Sequence, residues 1–86
     1  MIVYFDTSAI LPVVIEEPTS QIASRLWDEA DRVVSSRLSY PEGWAALAMA
    51  LHMNRVDELE LRAATEDFEV LYAQLDIVEA LSVGLT

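Results

Sequence analysis

Residues 1–10 read MIVYFDTSAI. Ile2, Val3, Tyr4 and Phe5 are β-branched, aromatic and apolar on both faces, a pattern that suits a short central strand of a parallel sheet. Asp6 ends the run, and Thr7 and Ser8 follow before Ala9, Ile10 and Leu11 begin a second apolar pattern. Short polar side chains at that point are helix-start chemistry, because their oxygens accept from amides that have no partner within the helix. A carboxylate at the exit of a buried strand has two uses: it caps the helix that follows, or it faces a ligand.

Outward from that stretch the chain alternates. Pro12 falls near the first turn of the first helix, where a missing N–H costs least, and the helix is expected to run to about residue 15. Glu16, Glu17, Pro18, Thr19 and Ser20 punctuate. Ile22, Ala23, Leu26, Trp27 and Ala30 then recur at helical spacing, with Arg25, Asp28 and Glu29 on the wet side. Residues 31–35, DRVVS, read as a second strand. Ser39, Tyr40, Pro41 and Glu42 form a capping-box pattern with proline in the first turn. The eight apolar residues 44–51 that follow predict a helix buried on all sides. Another helix starts near Asp57 with Glu60 as its box partner. Its apolar stripe comprises Val56, Leu59, Ala63, Ala64, Phe68, Leu71, Tyr72 and Leu75. Residues 76–80 are a third strand.

Strand, two helices, strand, two helices, strand implies a parallel sheet with helices on its faces. In such sheets ligands bind outside the carboxyl ends of the strands. Asp6 lies at the end of the first strand. Ser35 and Ser36, at the end of the second, lead to Glu42 in the first turn of the next helix. Two carboxylates from separate elements are therefore expected to converge at one rim.

Composition narrows the classes. The chain has 86 residues, 53% of them hydrophobic, which suits one small folded domain. It has no cysteine, so disulfides and thiolate metal sites are excluded. No apolar run approaches the ~20 residues needed to cross a membrane, and the N-terminus lacks the basic lead of a signal peptide. A cytoplasmic protein is expected. Fifteen acids face five arginines and no lysine, a net charge of −10. That charge repels phosphate backbones, and it suits divalent cations or a basic protein partner.

With those residues in place, the chain resembles PIN-domain proteins. The segment MIVYFDTSAI, with an acid closing the first strand before Thr-Ser, resembles their opening motif. SSRLSYPEGWAALAMA resembles their second motif, a glutamate near the start of an alanine-rich helix. The segments EEPTSQIASRLWDEADRVVSSRLSY and ELRAATEDFEVLYAQLDIVE are similar to the VapC-type toxin ribonucleases of toxin–antitoxin pairs. The resemblance implies a three-layer α/β/α fold with a parallel sheet, about three strands and four helices being present. It implies a single PIN-like domain over residues 1–86, incomplete at the C-terminus. The activity implied is that of a metal-dependent endoribonuclease, the toxin of a type II toxin–antitoxin system, using Mg²⁺ or Mn²⁺. Asp6 and Glu42 match the family's first two metal-holding, catalytic acids, and Thr7 and Ser8 match polar residues beside the site that contact substrate. The implied partners are a cognate antitoxin protein, an RNA substrate and a second copy of the chain. The family carries a third acid, often a fourth, after the third strand; here no Asp or Glu follows Glu79. A truncated form of weak or no activity is therefore expected.

The residues also have plainer accounts. Asp6 is a suitable cap for the first helix, and Glu42 a suitable box partner for Ser39. His52 reads as a surface residue near a helix C-terminus, and Trp27 and Trp44 as core. Glu58, Glu60, Glu66, Asp67 and Glu69 read as a solvated helix face. On those accounts the chain is a non-catalytic acidic module that binds a basic partner. A third class, a phosphoryl-handling α/β domain, has no glycine-rich loop to support it.

Overall fold

The computed structural model describes residues 1–78. Three strands, β1 (Ile2–Tyr4), β2 (Arg32–Ser36) and β3 (Asp76–Val78), alternate with two pairs of helices. Helices α1 (Thr7–Val14) and α2 (Ser20–Glu29) join β1 to β2, and α3 (Ser39–His52) and α4 (Glu58–Ala73) join β2 to β3. The sheet is parallel throughout, in the order β1-β2-β3. The α/β class and the number of each element are those expected. Glu79 and Ala80, the expected end of the third strand, lie outside the described residues.

Both crossovers step across the sheet in the same direction, and right-handed connections place both helix pairs on the same side. The contacts agree: α1 packs on α2, α3 and α4, and α3 on α4 and β2. The described residues thus build the parallel sheet and one helical layer. Register puts Val3 beside Val33 and Ser35 beside Ile77; Val3 is half-buried and Ile77 exposed, while Val33 and Ser35 of the central strand are buried toward the helices. There Phe5, Val33, Ile10, Leu11, Leu47, Ala50, Ala64, Phe68 and Leu71 form the core. Ile2 and Tyr4, on the other face, are exposed. Among the described strands the central one is therefore β2, with β1 at the edge, although the apolar run at residues 2–5 reads as a central strand.

Two local expectations change for physical reasons. Pro12 sits in the second turn of α1 rather than the first, so α1 lacks the bond its amide would make to Ser8, yet the helix still runs to Val14 with Ile15 as C-cap, close to the expected end. Helix α3 is not buried on all sides. Only Ser39, Gly43, Leu47 and Ala50 of it are buried, one side of the cylinder, and Trp44 and Met49 face outward. Alanine supplies half of the apolar run, and a small side chain on an exposed helix face costs little. In α4 the stripe holds through Ala64, Phe68, Leu71, Tyr72 and Leu75, but Leu59 and Ala63 are exposed and Leu61 packs in their stead.

The turn between α3 and α4 is built on Asn54, which has φ 58°. Its amide bonds to Leu51 O at 3.0 Å and that of Arg55 to Ala50 O at 2.8 Å, the paired bonds of a Schellman ending. Asp57 then opens α4 with the expected capping box: Glu60 N donates to its carboxylate at 2.7 Å, and Asp57 N to Glu60 Oε1 at 3.0 Å. Arg55 reaches back to form an ion pair with Glu17. None of the helices among the described residues is long and apolar enough to cross a membrane.

Candidate metal and catalytic site

The carboxyl ends of β1 and β2 open onto the N-terminal turns of α1 and α3. Phe5 N donates to Val34 O at 2.9 Å, which continues the β1–β2 ladder up to the residue before Asp6. Asp6 then leaves the strand in extended conformation and caps α1: its Oδ1 accepts from Ala9 N at 3.2 Å. The Ser8 hydroxyl donates to the same oxygen at 2.6 Å. The capping account of Asp6 therefore holds. It occupies only Oδ1, and no bond to Oδ2 is present among the described residues.

Glu42 behaves differently from its local expectation. Leu38, not Ser39, occupies the N-cap position of α3, with helical dihedrals and no side-chain cap. Ser39 is already inside the helix, and its hydroxyl turns back to Ser36 O at 2.7 Å, a local bond serine makes readily. The capping box at residues 39–42 does not form. Released from that role, the Glu42 carboxylate accepts a hydrogen bond from the Thr7 hydroxyl, with 3.1 Å between Thr7 Oγ1 and Glu42 Oε1. The residue after Asp6 is thus bonded to the second acid, and the two carboxylates stand on one rim, both exposed to solvent. Thr7, the residue after Asp6, thus ties α1 to Glu42, while Ser8 bonds to Asp6 alone.

Three features support the rim from behind, in roles that the residue pattern does not assign. Ser35 is fully buried, and its Oγ lies 2.6 Å from Phe5 O and 2.7 Å from Ser39 Oγ. Tyr72 donates to Ser36 O at 3.2 Å, which ties the end of α4 to the same loop. Gly43 carries the third. A Cβ there would lie 2.6 Å from Phe68 Cε1 and closer still to Cζ, so only glycine lets the ring pack under the first turn of α3. The glycine directly after Glu42 was the available signal. The serines gave none, since serine beside a helix start reads first as a cap.

The flank of the rim is aromatic. Tyr40 lies 4.9 Å from Tyr72 and 5.7 Å from Phe68, centroid to centroid, and Trp44 meets Phe68 edge-on at 5.9 Å. The Tyr40 hydroxyl donates to Glu69 on α4, and that bond to a carboxylate pushes the phenol above its ordinary pKa. Trp27, half-buried, packs against Phe5 from the α2 side at 6.1 Å, in the core role expected for it. Trp44 is partly exposed, and His52 lies at the surface as expected.

The donor set of the rim is all oxygen: two carboxylates and two hydroxyls. Hard divalent cations select that chemistry, and thiolate-seeking metals do not. Among the described residues no group of three or more His, Cys, Asp or Glu gathers at one point. By its chemistry this oxygen donor set suits a magnesium-like ion rather than a thiolate-seeking one. A cavity of about 780 Å³ lined by Glu16, Ser20, Arg25 and Asp28 runs along α2, with no rim residue in its walls.

No protein-family model matches the chain. Two curated relatives do. Ribonuclease VapC45 of Mycobacterium tuberculosis strain CDC 1551 / Oshkosh is 45% identical to it over 78 residues, 91% of this chain and 54% of the relative. Ribonuclease VapC49 of Mycobacterium tuberculosis strain ATCC 25618 / H37Rv matches with the same identity and the same coverage. The chain spans about half the length of the curated relatives it matches. With nearly half of its residues identical across nine-tenths of its length, and a parallel α/β fold that carries acids at its rim, this chain belongs to the VapC family of PIN-domain proteins.

Proposed function

We propose that this chain carries part of the active site of a metal-dependent endoribonuclease, the toxin component of a type II toxin–antitoxin system. The observation that supports the reading is the Thr7–Glu42 hydrogen bond, which ties Glu42 of α3 to the residue after Asp6, near the carboxyl ends of adjacent parallel strands. The ribonuclease names of the relatives support the reaction class.

On this reading Asp6 and Glu42 hold Mg²⁺ or Mn²⁺ through carboxylate oxygens, Asp6 with the oxygen its cap leaves open. The bound cation supplies charge neutralisation at the scissile phosphate and acidifies a water for hydrolysis. Thr7 orients Glu42 by donating to one of its oxygens, and Ser8 does the same for Asp6. With a charge of −10 the chain repels RNA, so the cation also has to screen the approach of the phosphate. Two carboxylates make a weak site, and activity of these residues by themselves should be low. The partners on this reading are RNA, an antitoxin protein and a second copy of the chain, in the cytoplasm.

A diffraction experiment on crystals soaked in Mn²⁺ tests the site. An anomalous peak within about 2.0–2.4 Å of oxygens from both Asp6 and Glu42 supports the reading. A chain that binds no Mn²⁺ at that rim fits the second reading, an acidic interaction module. That reading has its own observation: Glu58, Glu60, Glu66, Asp67 and Glu69 all stand exposed on α4, a face suited to a basic partner.

A further inference from the structure

Asp6 and Glu42 belong to different elements, and a metal site needs its ligands held to a fraction of an ångström. Behind the rim lies a buried polar cluster that joins those elements from the inside. Ser35 is 0% exposed and Ser39 1%. Ser35 Oγ stands 2.6 Å from Phe5 O, 2.7 Å separates the two hydroxyl oxygens, and Ser39 Oγ stands 2.7 Å from Ser36 O. Two hydroxyl protons thus serve three short oxygen–oxygen contacts, so the hydroxyls must orient in concert. No buried side-chain polar atom among the described residues lacks a partner.

The positions of the ends matter most. Phe5 immediately precedes Asp6, and its carbonyl fixes the peptide from which Asp6 departs. Ser39 lies one helical turn before Glu42, on the buried side of the same helix. The Tyr72 hydroxyl holds Ser36 O from the α4 side, so that carbonyl keeps a donor when the Ser39 proton turns to Ser35 Oγ. The Thr7–Glu42 bond closes the same circuit on the solvent side. An alanine at position 35 or 39 would bury no hydroxyl and need no partner. What the serines add is direction.

We propose that Ser35 and Ser39 are positioning residues of the metal site: their hydroxyl pair links the carbonyl beside Asp6 to the helical turn that carries Glu42 and sets the separation of the two carboxylates. This rests on the reading of Asp6 and Glu42 as the metal-holding acids. Neither serine touches the metal or the substrate.

The test uses the 86-residue chain with Ser35→Ala, Ser39→Ala and, as a destabilised control, Val56→Ala, a buried residue in the connection between α3 and α4. Two quantities are read. One is the nuclear Overhauser effect between the Thr7 methyl and the Glu42 side chain in metal-free protein. The other is the dissociation constant for Mn²⁺. Either serine variant should lose the Thr7–Glu42 effect and bind Mn²⁺ about tenfold more weakly, as outer-shell changes do at metal sites. Val56→Ala should keep both. Equal losses in all three variants, or an intact Thr7–Glu42 effect in the serine variants, would overturn the proposal. A wild-type chain that binds no Mn²⁺ would sink the metal reading, and the Overhauser comparison would still decide the positioning role. Should Ser39→Ala fail to fold, Ser39→Cys fills the site with a somewhat larger, weakly hydrogen-bonding thiol, and the same two readings apply.

Discussion

The Thr7 hydroxyl donates to the Glu42 carboxylate across 35 residues of sequence, from the first turn of α1 to the first turn of α3. Thr7 is half-buried and Glu42 exposed, so this bond adds little to stability. Its effect lies in where it holds the acid. A solvent-exposed hydrogen bond of this kind contributes about 0.5–1.5 kcal/mol at most. Thr7→Val keeps the branched shape and removes the donor. It should therefore lower the unfolding free energy by no more than that, while weakening Mn²⁺ binding several-fold. Denaturant unfolding and Mn²⁺ titration on the same protein separate the two effects; unchanged Mn²⁺ affinity would leave Thr7 with no part in the site.

Asp6 performs two tasks that can be separated by substitution. Asparagine caps a helix about as well as aspartate, whereas alanine does not. Asp6→Asn should thus keep the thermal stability of the chain and lose metal binding, because a neutral amide is a poor ligand for a hard cation. Asp6→Ala should lose metal binding and in addition about 1 kcal/mol of stability. If Asp6→Asn binds Mn²⁺ as the wild type does, Asp6 is a cap and nothing more.

Gly43 and Phe68 fit only as a pair. A methyl group on Gly43 would overlap the ring of Phe68, itself 0% exposed at the centre of the core. Ordinarily Gly→Ala inside a helix is stabilising by up to about 1 kcal/mol. Here overpacking should reverse the sign, and Gly43→Ala should destabilise by about 1–3 kcal/mol. Phe68→Leu alone leaves a cavity, but combined with Gly43→Ala it should cost less than the two single changes summed. Additivity in that cycle would mean that the ring moves aside freely.

The fold was legible because its signals are local. Alternation of apolar runs with polar turns gave three strands and four helices, and the Asp57–Glu60 box formed as its spacing implied. The rim was legible as a consequence of topology, since parallel strands bring their carboxyl ends to one edge. What the sequence hid depends on non-local competition. Ser39 and Glu42 have the spacing of a capping box, yet Ser36 O and Ser35 win the serine and Thr7 wins the glutamate. None of those partners can be read from residues 39–42. Likewise residues 44–51 look uniformly apolar, and only the packing of α1 and α4 decides that Leu47 and Ala50 face inward and Met49 does not.

Tyr40 offers a prediction in pH. Its phenol donates to the Glu69 carboxylate, and that hydrogen bond raises its folded pKa above the ordinary value of 10.0. The protonated phenol is the form the fold prefers, so the bond contributes its full stabilisation below the unfolded pKa. That contribution is lost as pH rises through the higher folded pKa, where the phenolate would face Glu69 with like charge. The wild type should therefore lose thermal stability more steeply than Tyr40→Phe between about pH 9.5 and 11.5, where tyrosines titrate. Below about pH 9 the difference between the two proteins should be constant as far as this group is concerned. Glu69→Gln removes the charged acceptor and should flatten the alkaline limb in the same way. Melting curves across that range decide it: if wild type and Tyr40→Phe fall in parallel, Tyr40 titrates alike in the folded and unfolded chains, and its bond to Glu69 does not persist in solution.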